Sequence, residues 1–388
     1  MFMTILRSQR LPFCVGVRSF PFILAVALLS ATFADDPTDK ERGKVSSSSP
    51  SSLFAPANET QITYQVRQIV RLEGITSGSK LAKMWISIPG DEPGQKILDF
   101  SVASTPGEWT IVEDAERRGK FLRVDVANPT AESIDVEVAF IVKRNPIYVA
   151  IDHQQVGPLS DGLKKMLAEN LALDSPHMEV TKAIKEIADQ ACGSESNIAT
   201  QAMLLLGYVA KTVDHYSYSS DPDMPSCGIG DNATCMKQGG GCCTDLNSLF
   251  ISLARARGIP ARLQMGYRLQ EKNGGKLVDP GYRCWVEYFV PGYGWISADV
   301  VEADTPGGLG PERWLSGLTA RRLWLNTGRE FQLAEVQSVD RVNHMSIAYA
   351  EIDGKPARLI PEGTDKPQIT RKVLFTELAS PTPDSGTR

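Results

Sequence analysis

The segment Gly239-Gly240-Gly241-Cys242-Cys243-Thr244-Asp245 runs straight into Leu246, Leu249, Phe250, Leu253 and Ala254, apolar residues at helical spacing. Cys243 is therefore expected in the first turn of a helix. A sulfur there lies near backbone N–H groups that lack intrahelical partners, at the positive end of the helix dipole, and both favour the nucleophilic thiolate. The glycines let another backbone, such as a substrate's, come close. The alternative is a buried structural cysteine at a helix start. The chain has 4 histidines and no C-x-x-C pair, so neither a metal nor a cofactor is expected. Cys227 and Cys235 bracket a short Gly/Asn loop and are the pair best placed to form a disulfide in an oxidising compartment.

The elements that must position Cys243 can be read from periodicity. Val180, Ala183, Ile184, Ile187, Ala188 and Ala191, then Ala202, Leu205, Leu206, Val209 and Val213, give two amphipathic helices before the glycines. The helix carrying Cys243 stops at Gly258, with Pro260 just beyond. Strands are expected at Ala261–Leu269, Tyr282–Val290 and Trp295–Val300, the last two joined by the turn Pro291-Gly292-Tyr293-Gly294. Upstream, residues 60–146 alternate with period two, clearest in Ile134, Val136, Val138, Phe140 and Val142 against Asp135 and Glu137. The resulting fold class is α+β: an antiparallel β domain over 60–146, a helix-plus-strand core over 147–365, and a C-terminal strand and polar tail over 366–388.

Residues 1–34 read as a signal peptide, with Arg7, Arg10 and Arg18 ahead of the apolar run Phe20–Phe33 and small residues at Thr32 and Ala34. An uncleaved anchor is the alternative, but the run is shorter than the roughly 20 residues that span a bilayer. Cys14 precedes the run, where lipid modification does not fit. Residues 35–59, with Ser46 to Ser52 at their centre, are a linker too poor in apolar groups to order itself. A secreted or periplasmic protein is expected, without membrane insertion after cleavage. Net charge is −5 with the signs interspersed, which argues against nucleic acid or anionic lipid as a partner.

Gly241-Cys242-Cys243-Thr244-Asp245, Leu249-Phe250 and Arg257-Gly258-Ile259-Pro260-Ala261-Arg262 resemble the nucleophile helix and its exit in the transglutaminase-like (papain-like) superfamily. Cys284-Trp285-Val286-Glu287 and Gly294-Trp295-Ile296-Ser297-Ala298-Asp299 resemble the family's two strands bearing the base and the acid. The resemblance covers about Glu179 to Asp299. Residues 60–146 and the stretch from Thr327-Gly328-Arg329-Glu330 to Tyr349-Ala350-Glu351 resemble flanking regions of bacterial secreted members more weakly. It implies a papain-like core in which a thiolate attacks an amide, a histidine moves the proton and an aspartate orients the histidine.

Carried over by motif, the nucleophile is Cys243 and the acid Asp299, while the base position, two residues before Trp285, holds Arg283. A guanidinium stays protonated and accepts no hydrogen bond, so it cannot relay the thiol proton. It would favour a thiolate beside it, and Asp299 is its natural ion-pair partner. His215 and His344 are the possible stand-ins for the base, and Gln238 is a possible oxyanion donor, each against a plain surface or capping role. Three readings follow. One is a catalytically impaired, transglutaminase-like domain that binds a peptide or protein in the Cys243/Asp299 cleft. Another is an active cysteine amide hydrolase or transamidase with an unusual base. The third is a structural envelope protein with a vestigial site.

Overall fold

The period-two region folds as six strands: β1 (Ile62–Glu73), β2 (Leu81–Ile88), β3 (Gln95–Ser104), β4 (Glu108–Glu113), β5 (Lys120–Ala127) and β6 (Ser133–Arg144). They belong to a computed structural model that describes residues 60–378 except 115, 117, 225–228, 271–274, 279–280, 306–310, 334–336, 347 and 360–364. The signal peptide, the Ser-rich linker, the polar tail from 379, Cys14 and Cys227 lie outside the described residues.

A short strand β7 (Ile147–Tyr148) leads to helices α1 (Asp161–Met166), α2 (Lys182–Cys192) and α3 (Ile198–Thr212). Strand β8 (Asp214–His215), helix α4 (Asn232–Gln238), strand β9 (Gly240–Gly241) and helix α5 (Cys243–Ala256) follow. Then come β10 (Ala261–Arg268), β11 (Lys276–Val278), β12 (Arg283–Val290), β13 (Gly294–Ala298), α6 (Val300–Asp304), β14 (Gly317–Leu318) and β15 (Arg322–Thr327). The chain ends in β16 (Ala348–Ile352), β17 (Lys355–Pro356), β18 (Arg358–Leu359) and β19 (Gln368–Leu378).

Two sheets face each other as a sandwich, in the orders β11-β19-β1-β6-β3 and β17-β16-β2-β5-β4. Their inner faces meet through Val70, Leu72, Met84, Ile86, Leu122, Val136 and Ile369. Each such side chain contributes roughly 1.5–3 kcal/mol on burial. β19 lies antiparallel along β1 from Thr63↔Leu378 to Glu73↔Gln368, and β16 pairs with β2. Sheet pairing thus crosses the boundaries drawn from the sequence at 146 and 365, because strands from the far end of the chain complete both sheets.

The third sheet, in the order β13-β12-β10-β15, carries the core. Helix α5 buries Leu249, Phe250 and Leu253 in one cluster with Leu263, Val286, Tyr288 and Ile296 of that sheet. Tyr64, Phe140 and Phe375 of the sandwich cluster with Tyr267, Leu323 and Leu325, which joins sandwich to core, and all the described residues fall in one compact unit. The architecture is a mix of helix and antiparallel sheet, α+β, as the periodicity predicts. Among the described residues no helix is long and apolar enough to cross a membrane.

Candidate active site

Helix α5 begins where Asp245 Oδ2 accepts the backbone N–H of Cys242 at 2.9 Å, closing one donor of the first turn. Its Oδ1 accepts the N–H of Asp231 at 3.0 Å, which ties the loop before α4 to the same turn. The helix ends at Gly258, whose φ of +72° suits glycine. β9 pairs in parallel with β8, Asp214↔Gly240 and His215↔Gly241. A Cβ on Gly240 would lie 2.1 Å from the Asp214 carbonyl oxygen, so the backbone that comes close at Gly240 is the chain's own, while Gly239 faces open space.

Cys243, Arg283 and Asp299 converge from the start of α5, the start of β12 and the end of β13, exposed by 5%, 8% and 0%. The Cys242 thiol hydrogen-bonds to that of Cys243 and favours its thiolate. A hydrogen bond with Cys284 and burial outweigh both this and the pull of Arg283, holding the Cys243 thiol well above its ordinary pKa. The thiolate expected from the helix start is therefore not the resting form. Cys284 faces α5, where its sulfur receives Asn247 Nδ2 at 3.3 Å and lies 3.6 Å from Thr244 Oγ1.

Burial alone would raise the Asp299 carboxyl, but the charges of Arg322 and Arg283 and the hydrogen bonds it accepts pull it below its usual range. Those hydrogen bonds come from Arg322 Nε at 2.9 Å, Arg322 Nη2 at 2.6 Å and the backbone N–H of Glu302 at 3.0 Å, the last making Asp299 the N-cap of α6. Glu302 Oε1 in turn receives Arg322 at 2.7 Å and Arg268 at 2.5 Å, with Arg283 Nη2 at 3.5 Å. Burial disfavours the Arg283 cation, yet the charges of Asp299 and Glu302 keep the guanidinium protonated. The expected coupling of Arg283 to Asp299 is present through charge, while the hydrogen bonds to Asp299 come from Arg322, a residue the sequence reading did not single out.

Of the two stand-in histidines, His215 sits within the field of Arg283 and Asp299, whereas His344 sits within that of Arg329. Burial first, then Arg283 and Arg268 against Asp299, lowers His215 to about 3. Its Nδ1 lies 2.7 Å from Ser217 Oγ, where either atom donates according to the ring's tautomer, and 3.4 Å from the Ser217 backbone N–H. His344 is likewise lowered to about 3, chiefly by burial. Gln238, at the end of α4, is exposed, and the segment read as a Gly/Asn loop is partly helix. Cys235 is a buried free thiol. Among the described residues no group of three or more His, Cys, Asp or Glu side chains is arranged to hold a metal ion.

Residues 185–300 match the model of the Transglutaminase-like superfamily. The chain is 25% identical over 306 residues, 70% of its own length and 81% of the other's, to an uncharacterized protein of Haemophilus influenzae. It also resembles the crystal structure of a candidate cysteine protease from Cytophaga hutchinsonii, with a TM-score of 0.55 at 19% identity, covering 84% of this chain and 94% of that one. The helix α5, the strands β12 and β13 and the family match over the same residues together identify a transglutaminase-like core, carried here with an antiparallel β sandwich.

Proposed function

We propose that this chain is an exported protein whose transglutaminase-like core binds a peptide or protein segment at the Cys243/Asp299 cluster without turning it over. The observation that carries the reading is Arg283, buried beside Cys243 and held in its charged form by Asp299 and Glu302. A cation that cannot lose its proton offers no route for the thiol proton or for protonating a leaving amine. The neutral Cys243 thiol points the same way. Export is supported by the arginines and apolar run of the first residues. The cysteine-protease description of the Cytophaga relative supports a peptide as the ligand.

A second reading, an active amide hydrolase or transamidase with a displaced base, draws on His215, whose strand pairs with Gly241 two residues before Cys243. Against it stands the depressed pKa of His215, a ring too weakly basic to take the thiol proton. Arg283→His separates the two. The variant should gain Cys243-dependent hydrolysis or transamidation of peptide amides that wild type lacks. The gain should fall at or below the low end of the about 10²–10⁴ that acid–base shuttling supplies, because Arg322 already occupies Asp299. If Arg283→His gains nothing while His215→Ala abolishes a wild-type activity, the second reading takes its place.

A further inference from the structure

Among the described residues, the cations of the cluster beneath Cys243 outnumber its carboxylates. Arg268, Arg283 and Arg322 share two carboxylates, Asp299 and Glu302, and both are already engaged by Arg322. The Cys243 thiol, which also faces Arg283, is held up in its protonated form and brings no further anion at neutral pH. His215 beside them is uncharged.

Arg283 is also the cation whose donors are left over. Its Nε and Nη2 are buried without hydrogen-bond partners, and buried orphan donors of this kind call for an explanation. These two nitrogens form one edge of the guanidinium, with parallel N–H bonds that match the two oxygens of a carboxylate. The chain uses that same edge elsewhere. Arg67 places Nε and Nη2 on Glu137 at 2.6 and 3.1 Å, Arg71 on Asp135 at 2.7 and 2.6 Å, and Arg123 on Asp125 at 3.0 and 2.6 Å.

We infer that the Nε/Nη2 edge of Arg283 is the seat for one carboxylate of a bound peptide, supplied by its C-terminus or by an acidic side chain. The inference rests on the ligand-binding half of the proposed function and names the group that is read. Both nitrogens are buried, so binding requires the site to open at that edge. A fixed cation at the family's base position then serves as a recognition group.

The test uses the full chain and three probes: N-acetyl-alanyl-alanine, its C-terminal amide, and N-acetyl-aspartyl-alanine amide. Titration calorimetry gives affinity, and the ¹⁵Nε–¹H signal of Arg283 reports the contact. At least one acid should bind and shift that signal, the neutral amide should not, and Arg283→Gln should weaken the acid roughly tenfold or more, with Arg283→Lys in between. Whichever acid binds identifies the source of the carboxylate. Equal binding of acid and neutral amide, acid binding unchanged in Arg283→Gln, equal competition by chloride, or no binding of either acid would overturn the inference. Should Arg283→Gln fail to fold, the acid-against-amide comparison on wild type decides alone. Turnover by wild type would remove the silent-site reading and leave this contact standing, so the two failures are distinct.

Discussion

Asp299 Oδ2 accepts two hydrogen bonds from Arg322, from Nε at 2.9 Å and from Nη2 at 2.6 Å, with both side chains almost wholly buried. Asp299 is thus held by an arginine 23 residues along the chain, which also binds Glu302. Truncating one partner of a buried, hydrogen-bonded pair leaves a charge uncompensated, which destabilises by about 3–5 kcal/mol. Arg322→Ala is therefore expected to lower the unfolding free energy from urea titration by that amount or to prevent folding. A value within about 0.5 kcal/mol of wild type, the spread of ordinary surface substitutions, would contradict the geometry.

Cys243 should be a slow nucleophile at rest. It is buried, and its thiol is held up by Cys284 and by desolvation against the pull of Arg283. Iodoacetamide at pH 7.5 is expected to modify the native Cys243 peptide about tenfold or more slowly than the unfolded one, and Arg283→Gln should slow it further. Fast, selective labelling of Cys243 in the native protein, read by mass spectrometry, would count against the neutral thiol.

Acid should destabilise the fold through two histidines. His215 and His344 each titrate near 6.5 when unfolded and at about 3 when folded. Between those values the unfolded state binds more protons, so their contribution is complete above pH 6.5 and is lost as pH falls towards 3. By pH 5 this amounts to roughly 2 kcal/mol per histidine. Asp304 acts in the opposite sense: burial raises it from 3.8 to about 6, so it favours the fold as pH falls through that range and offsets roughly 1 kcal/mol at pH 5. Urea unfolding at pH 7.5 and pH 5 should show the net loss, and His215→Gln should reduce it. Equal stability at the two values would refute the assignment.

β19 is a structural strand of the sandwich. It covers β1 along its length and buries Ile369, Val373 and Phe375. A chain truncated after residue 366 exposes those partners and an unpaired β1 edge, so it should lose cooperative unfolding or aggregate. Retention of the full-length unfolding midpoint would show that residues 60–146 stand without it.

Much of this architecture is legible in the residues. The helix of Cys243 is given by apolar spacing and by Gly258, and the strand expected over 366–378 appears as Gln368–Leu378. Alternation in Ile134 to Val142 gives β6 and its buried face. What the sequence hides is long-range. Nothing local in Ala348–Ile352 says that it pairs with β2, and nothing near Arg322 announces Asp299 as its partner. Glu302 had a local signal, since an aspartate followed three residues later by glutamate marks a helix start, and α6 begins there. The glycines before Cys243 signalled a close backbone approach, but only the fold identifies Asp214 as what approaches.

The central claim is that Arg283 silences the chemistry of Cys243, and the most direct measurement is the initial rate of amide hydrolysis and transamidation by wild type beside Cys243→Ala, from pH 6 to 9, over a panel of peptide amides. The account predicts two indistinguishable rates at every pH, since the guanidinium stays protonated throughout that range. A wild-type rate that exceeds that of Cys243→Ala, with a pH profile of its own, would contradict it.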